Sequence, residues 1–352
     1  MRILLLAGGS GGHIYPALAI APALRKREPV AELLFVCSRS RLDRAILQRS
    51  GERYKTIFAG KLRRYVSLKN ISDIFLVGLG FLQSFVILAR FRPQVVFSKG
   101  GFVSVPLALA ARLLRIPIVV HESDSVPGLA NRIVGRYAVR TLTAFPGGHG
   151  EHVGTPLRPE VLAGDAAKGK AFLAFAKERP IVFVFAGSQG SKRINDAVYN
   201  ALERLIEVAN VVLVTGSRST LHLDRPEVRI YPFLHAEYAD VLAAADIVVC
   251  RSGGSIFEVA AQGKPMLLIP HPHTGGDHQR KNAEIFAQHS AAEMLPDADL
   301  SANILSDKVI ALLRHPERQK RLAENAKQLA RLDAAEQIAE VVIEAGKSKE
   351  GR

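Results

Sequence analysis

The sequence predicts an α/β chain of two tandem Rossmann-like domains, and three observations predict it. Its 352 residues suit two domains at about 150 residues each. A strand, a glycine loop and a helix follow one another at the N-terminus, and the same order returns at Ile181, about half the chain later. Each half then alternates short apolar runs with helical stretches, which implies right-handed crossovers and doubly wound parallel sheets.

The elements follow in order. Arg2-Ile3-Leu4-Leu5-Leu6-Ala7 is a short apolar run, as suits a strand covered on both faces. Gly8-Gly9-Ser10-Gly11-Gly12-His13 follows, and a helix is expected from Ile14 to about Arg27. Further strands are expected near Glu32–Val36, Gln94–Ser98, Pro117–His121 and Arg140–Thr143. Gly154, Pro156 and Pro159 punctuate the stretch from His152 to Pro159, where a domain boundary is expected. The second half opens with a strand at Ile181–Phe185, a loop at Ala186–Ser191 and a helix from Asn195 to Ile206. Strands are expected near Val211–Thr215, Val228–Tyr231, Ile247–Cys250 and Pro265–Ile269. From Ser301 the pattern is helical, with breaks at Pro316 and Asp333, and the last residues from Gly346 are polar. The domains expected are 1–155, 156–332 and a C-terminal helical stretch over 333–352.

Composition narrows the function. Hydrophobic residues at 48% and charged residues at 23% exclude a disordered chain. A net charge of +14 favours an anionic partner: nucleic acid, an anionic membrane surface or a phosphorylated substrate. Nucleic acid is the weakest of these, because the chain has no Trp and no basic–aromatic repeat. Cys37 and Cys250 make neither a disulfide framework nor a zinc pattern, and are expected to be reduced core thiols of a cytosolic protein. Arg2 precedes only a five-residue apolar run, Ile3 to Ala7, so no secretory leader is expected. The longest apolar run, Ile74 to Leu82, is far below the roughly 18 residues needed to span a bilayer.

Glycine loops between strand and helix let backbone approach a ligand and aim free N–H groups at an anion. The first loop is not the dinucleotide fingerprint: Ile14 stands where G-x-G-x-x-G from Gly9 needs glycine, and Val36-Cys37-Ser38-Arg39 carries no acid for a ribose. Neither the first nor the second loop matches G-x-x-x-x-G-K-[ST], so dehydrogenases and P-loop ATPases are both demoted. A third loop, Cys250 to Glu258, carries Gly253 and Gly254 and opens a helix whose first turns hold Glu258, a carboxylate able to bind ribose hydroxyls or simply to face the helix dipole. A fourth, Ser98 to Ser104, also joins strand to helix. His271, His273 and His278 lie in a Pro/Gly loop without i, i+4 spacing, so no metal is expected there. Asp297-Ala298-Asp299 matches D-x-D, but its place before a helix suits capping by Asp299 or Ser301.

Seven segments carry a resemblance: GGSGGHIYPALAIA at 8–21, GGFVSVPLALAA at 100–111, HESDSVPGLANR at 121–132, VGTPLRPEVL at 153–162, AGSQGSKRIND at 186–196, RSGGSIFEVAAQGKP at 251–265 and HQRKNA at 278–283. In this order they resemble the MurG family of UDP-N-acetylglucosamine transferases. The resemblance implies the GT-B architecture, two Rossmann-like domains with an interdomain cleft, and a C-terminal helix returning to the first domain. It implies an inverting transfer of GlcNAc from UDP-GlcNAc to lipid I, the undecaprenyl-diphosphate-MurNAc-pentapeptide, without a cofactor or metal, by a peripheral protein on the cytoplasmic face of the membrane. It also implies the site: His13 as base or orienting group, the alternative being a helix-start histidine that binds a phosphate or is structural; Ser10, Gly11 and Gly12 lining the cleft; Ser188, Gly254 and Ser255 at the diphosphate and sugar; Leu234 offering backbone to uracil; Glu258 on the ribose; Gln279 on sugar hydroxyls; and Arg158 at the nucleotide. Two departures stand out. The family usually reads His-Glu-Gln-Asn where this chain has His121-Glu122-Ser123-Asp124, and an ionised Asp124 only accepts hydrogen bonds, so either the direct contact to the donor sugar is lost or a sugar hydroxyl donates to it. Between Arg251 and Glu258 the chain is one residue shorter than the family pattern.

Lys61-Leu62-Arg63-Arg64-Tyr65-Val66-Ser67-Leu68-Lys69 is basic, and beyond it Phe75, Leu79, Leu82 and Val86 recur at helical spacing before Arg90 and Arg92. Basic flanks around an apolar helix face suit docking on anionic lipid, the alternative being a core-facing crossover helix. Two other functions stay open: a related transferase with a different lipid or sugar acceptor, and a non-catalytic nucleotide-sugar-binding membrane subunit.

Overall fold

The computed structural model describes residues 1–60, 69–187, 189–216, 221 and 223–348. The chain divides into two compact units, Met1–Arg158 with Leu332–Arg352, and Pro159–Arg331. The first contains β1 (Arg2–Ala7), α1 (Gly11–Arg27), β2 (Glu32–Ser38), α2 (Arg41–Arg49), β3 (Tyr54–Ile57), α3 (Lys69–Phe91), β4 (Val95–Gly100), α4 (Ser104–Leu113), β5 (Ile118–Glu122), α5 (Leu129–Gly135), β6 (Arg140–Thr143) and β7 (Glu151–His152). The second contains α6 (Pro159–Leu162), α7 (Ala166–Leu173), β8 (Ile181–Phe185), α8 (Lys192–Leu205), β9 (Asn210–Val214), β10 (Val228–Tyr231), α9 (Tyr238–Ala244), β11 (Ile247–Cys250), α10 (Ser255–Ala261), β12 (Met266–Leu268), α11 (His278–Gln288), β13 (Glu293–Met294), α12 (Ala302–Arg314) and α13 (Pro316–Leu329). The closing helix, α14 (Ala334–Lys347), belongs to the first unit.

The strand orders are β3-β2-β1-β4-β5-β6-β7 and β10-β9-β8-β11-β12-β13. Every pairing described is parallel, so both are doubly wound Rossmann-like sheets. The two-residue period of the strands splits the apolar runs between two layers. Ile3, Leu5, Phe35 and Phe97 pack with Ile14 and Ile20 of α1 and Ile338 and Val342 of α14. Leu4, Leu6, Val36 and Val96 turn the other way, onto Leu88 of α3 and Leu107 of α4. In the second unit Val182 and Val184 pack with Ile194 and Val198 of α8 and Val309 of α12.

Some expected boundaries shift, each for a local reason. Helix α1 starts at Gly11, ahead of Ile14, because Ser10 holds extended N-cap geometry. Helix α8 starts at Lys192, ahead of Asn195, because Ser191 Oγ accepts from Ile194 N. Strand β4 continues through Lys99 to Gly100, where the sequence suggested a loop, because the Lys99 ammonium finds partners inside the protein. Strands β3, β7 and β13 were not expected; each is short, at or next to a sheet edge, and carries polar residues that hide its pattern.

Helix α3 settles the choice between a wholly core-facing helix and one with an outward apolar face. Asp73, Gly80, Ser84, Leu88 and Phe91 are buried, and Gly80 allows an approach so close that a Cβ would stand 2.0 Å from the Phe58 carbonyl oxygen. On the other side Phe75 is 69% exposed, Leu82 62% and Val86 47%. Leu79, expected with them, is half-buried at the border, and Phe85 joins the exposed group. The basic residues from Lys61 to Leu68 lie outside the described residues.

Because Ile338 is fully buried in the first unit, Ile338→Ala should cost about 2–5 kcal/mol. Denaturant unfolding checks this, and a loss below about 1 kcal/mol would detach α14 from that core.

Candidate active site

In both sheets the strand order reverses once, between β1 and β4 and between β8 and β11. Open α/β sheets bind ligands at the carboxyl ends of such strands, where neighbouring loops diverge. All four glycine loops read from the sequence fall at these two points.

In the first unit Gly8 to Ser10 leave β1 and α1 follows. The first turn of α1 holds no acid, so its positive end is not offset by a side chain of that turn. Ser10 Oγ lies 2.8 Å from His13 Nδ1, and both side chains are half-buried. Gly101, with φ of +84°, presses the β4 loop onto this one: a Cβ there would stand 2.3 Å from the Gly8 oxygen. The loop is anchored by a residue that sequence reasoning missed, the buried Asp43 of α2. Its Oδ2 accepts from Gly9 N at 2.8 Å and Ser38 N at 3.2 Å. The signal was present, since Ser40-x-x-Asp43 is a helix-start pattern and Ser40 Oγ does accept from Asp43 N.

Beside it lie β5 and its turn. Lys99 is fully buried, with its Nζ 2.8 Å from His121 Nδ1 and bonded to Ser123 Oγ. Burial pushes the Lys99 ammonium down to about 8 against the raising pull of the Glu122 and Asp124 carboxylates. Burial, with the Lys99 charge behind it, holds His121 well below the ordinary imidazole range. Glu122 accepts from Asp124 N at 3.0 Å, Gly128 N at 3.0 Å and Asn131 Nδ2 at 2.8 Å, which shapes the turn bearing Asp124. The Arg158 guanidinium stacks over Tyr15 of α1 at 4.9 Å, within the first unit.

In the second unit Gly190 brings the β8 loop against β9, so that a Cβ would stand 1.9 Å from the Thr215 oxygen. Ser188 lies outside the described residues. After β11, Arg251 turns inward. It donates to the carbonyl oxygens of Ile269 and Pro270, each at 3.0 Å, to Asp297 Oδ1 at 2.6 Å and to Ser191 Oγ at 2.9 Å. One guanidinium thus ties together both glycine loops of this sheet and the end of β12. Asp297 also pairs with Arg193 at 3.0 Å, and Ser301, rather than Asp299, caps α12 through Ile304 N.

Gly254 and Ser255 begin α10, and Glu258 Oε2 accepts from the Tyr238 hydroxyl at 3.1 Å. Tyr238, another residue the sequence reading missed, is braced edge-on against Phe185 at 5.7 Å. Gln279 is fixed at both ends: its carbonyl accepts from Ser252 Oγ at 2.7 Å and its Oε1 from His271 N at 2.9 Å. Leu234 is buried where the β10 loop enters α9. The thiols of Cys37 and Cys250 are buried and unbonded to each other, and burial pushes both up to about 12.

Two doubly wound units with paired glycine loops at their switch points define a two-domain Rossmann-type protein with a ligand crevice in each unit. The glycosyltransferase family 28 N-terminal domain matches residues 3–143, and the family 28 C-terminal domain matches 181–338. A Bacillus cereus protein named UDP-N-acetylglucosamine–N-acetylmuramyl-(pentapeptide) pyrophosphoryl-undecaprenol N-acetylglucosamine transferase 2 is 37% identical over 331 residues, covering 91% of this chain and 93% of its own. A Shouchella clausii protein named as the same transferase is 39% identical over 323 residues, covering 88% and 90%. The chain therefore belongs to the MurG family. The crystal structure of Acinetobacter baumannii MurG shares the fold, with a TM-score of 0.77 over 97% of this chain and 99% of that one, at 23% identity.

Arg251 and Asp297 are each 9% exposed at the side chain, so removing Asp297 strands the Arg251 charge, and removing Arg251 leaves Asp297 only its pairing with Arg193. Arg251→Met should cost about 3–5 kcal/mol, and Arg251→Met with Asp297→Leu clearly less than Arg251→Met alone. Equal losses in denaturant unfolding would show that the pair does not hold these loops.

Proposed function

We propose that the chain transfers GlcNAc from UDP-GlcNAc to lipid I, forming lipid II on the cytoplasmic side of the membrane. The observation that carries this reading is the site's layout: all four glycine loops lie at the switch points of a chain whose relatives, over nine-tenths of its length, are named for this transfer. In this reading the second unit binds the donor. Glu258, held by Tyr238, takes the ribose hydroxyls; Ser188, Gly254 and Ser255 face the diphosphate and sugar; Leu234 offers backbone to the uracil; Gln279 meets the sugar hydroxyls. Leaving-group charge falls on the start of α8, whose first turn holds no acid. The first unit supplies the base. With the His13 proton on Nδ1 and donated to Ser10 Oγ, Nε2 keeps a lone pair for the acceptor hydroxyl. Gly11 and Gly12 leave room beside it, Asp124 accepts from a sugar hydroxyl, and Arg158 contacts the nucleotide.

The same reading docks α3 on anionic lipid. No described helix is long and apolar enough to cross a membrane. Phe75, Leu82 and Val86 face outward, with Leu79 at the border. A groove of about 740 Å³ beside α3 sets Arg2, Arg53, Lys55 and Arg90 next to Leu82 and Val86, with Glu32 as the one acid among its lining residues. Cations around an outward apolar strip suit an anionic headgroup surface.

Transfer from a panel of labelled UDP-sugars to synthetic lipid I tests the reading, and UDP-GlcNAc should be the preferred donor. On the donor side, Glu258→Ala should weaken UDP binding by about 1.5–3 kcal/mol, the worth of hydrogen bonds to a charged group. Calorimetry showing unchanged affinity in a folded variant removes Glu258 from the site.

The membrane arm has its own check. Binding to phosphatidylglycerol vesicles should weaken but persist as salt rises, since screening acts only on the charged part. Phe75→Ser with Leu82→Ser should abolish the persistent part and leave UDP binding intact. A folded double variant that still sediments with vesicles at high salt refutes the docking face.

A further inference from the structure

We propose that Lys99 is a positioning residue of the transfer site: its buried ammonium holds Ser123 and balances Asp124, so that this turn presents a fixed, acceptor-only carboxylate to a hydroxyl of the donor sugar. This rests on the donor assignment made above and adds to it a residue that the family motifs quoted in the sequence reading give no role.

The geometry leads there step by step. Strands β4 and β5 run side by side, with Ser98 paired to Val120, so Lys99 and His121 are neighbours at the carboxyl edge of the sheet. A lysine side chain is rarely buried completely unless it is paired, yet Lys99 is 0% exposed. His121 Nε2 lies 2.7 Å from the Gly154 oxygen, which only accepts, so that nitrogen carries the proton. Nδ1 then has a lone pair, and the bond at 2.8 Å runs from the Lys99 ammonium to it. The second donated bond goes to Ser123 Oγ. His121 is therefore a neutral prop, and the positive charge of this cluster sits on Lys99.

The two carboxylates next to that charge have different duties. Glu122 bonds the backbone of Asp124 and Gly128 and the Asn131 amide, so it shapes the turn from within. Asp124 is half-buried, and its charge, together with that of Glu122, raises the buried ammonium against the lowering effect of burial. The Lys99 ammonium supplies counter-charge to the two carboxylates of this turn.

The test uses the full chain with K99M, D124N and the double variant. Calorimetry compares UDP with UDP-GlcNAc, and hydrogen exchange follows the Asp124 and Gly128 amides. In each single variant UDP-GlcNAc should bind at least tenfold more weakly, while UDP stays within twofold. K99M should speed exchange of both amides at least tenfold. In the double variant the two amides should exchange more slowly than in K99M, because both charges are then gone, while UDP-GlcNAc binds no better than in D124N. Equal loss of UDP and UDP-GlcNAc in K99M, or UDP-GlcNAc affinity kept within twofold, overturns the proposal in favour of a purely structural lysine. If K99M does not fold, D124N decides alone: unchanged UDP-GlcNAc affinity in folded D124N overturns it as well. Lipid I is not part of the readout, so failure of the acceptor assignment leaves these results standing, whereas a wild-type protein that binds neither UDP nor UDP-GlcNAc overturns the donor assignment itself.

Discussion

Each sheet reverses its strand order once, and that reversal is the constraint from which the site follows. At β1 and β4, and again at β8 and β11, consecutive loops leave the sheet toward opposite faces. Helices must begin there, and their first N–H groups lack partners within the helix. Glycine is needed because backbone meets backbone, as where Gly101 touches the Gly8 carbonyl or Gly190 the Thr215 carbonyl. Glycine alone, however, leaves a loop with many conformations. The structure removes that freedom with buried charge, Asp43 in the first unit and Arg251 in the second.

This division explains what was legible in the sequence. The glycine loops could be read because glycine between a strand and a helix has few other uses. The alternating elements could be read because parallel strands covered on both faces are continuous apolar runs. The anchors were harder to read. Arg251, Lys99 and Asp43 are polar residues whose partners lie far away in sequence or across a strand pair, as Arg251 meets Asp297 and Lys99 meets His121. A lone lysine beside two glycines looks like a solvated loop, and only the third dimension shows it enclosed. The edge strands β3, β7 and β13 escaped for a related reason: a strand on a sheet's margin need not be apolar on both sides.

Helix α3 illustrates the same point with apolar residues. Its spacing alone fitted two functions, since a core-facing stripe and a membrane-facing stripe have the same period. Burial shows which side of α3 meets the protein and which faces outward. The Gly80, Ser84, Leu88 side meets the rest of the unit, and the Phe75, Leu82, Val86 side does not.

The two anchors also differ in sign, and the difference has a chemical consequence. In the first unit the anchor is a carboxylate, which already takes the Gly9 N–H. That donor is spent on the protein's own anion, so the first loop is a poorer cradle for a second one. In the second unit the anchor is a guanidinium. It takes the Ile269 and Pro270 carbonyls and the Ser191 hydroxyl oxygen, consuming acceptors and leaving N–H donors in place. Its charge is matched by Asp297, so it adds little net field of its own. A diphosphate needs donors and a positive helix end, and α8 of the second unit has no acid in its first turn. A base needs an imidazole lone pair near a developing proton, and the first unit sets His13 Nδ1 beside the Ser10 hydroxyl. The opposite signs of the two anchors thus support giving the donor's diphosphate to the second unit and proton removal to the first, although both units share one topology.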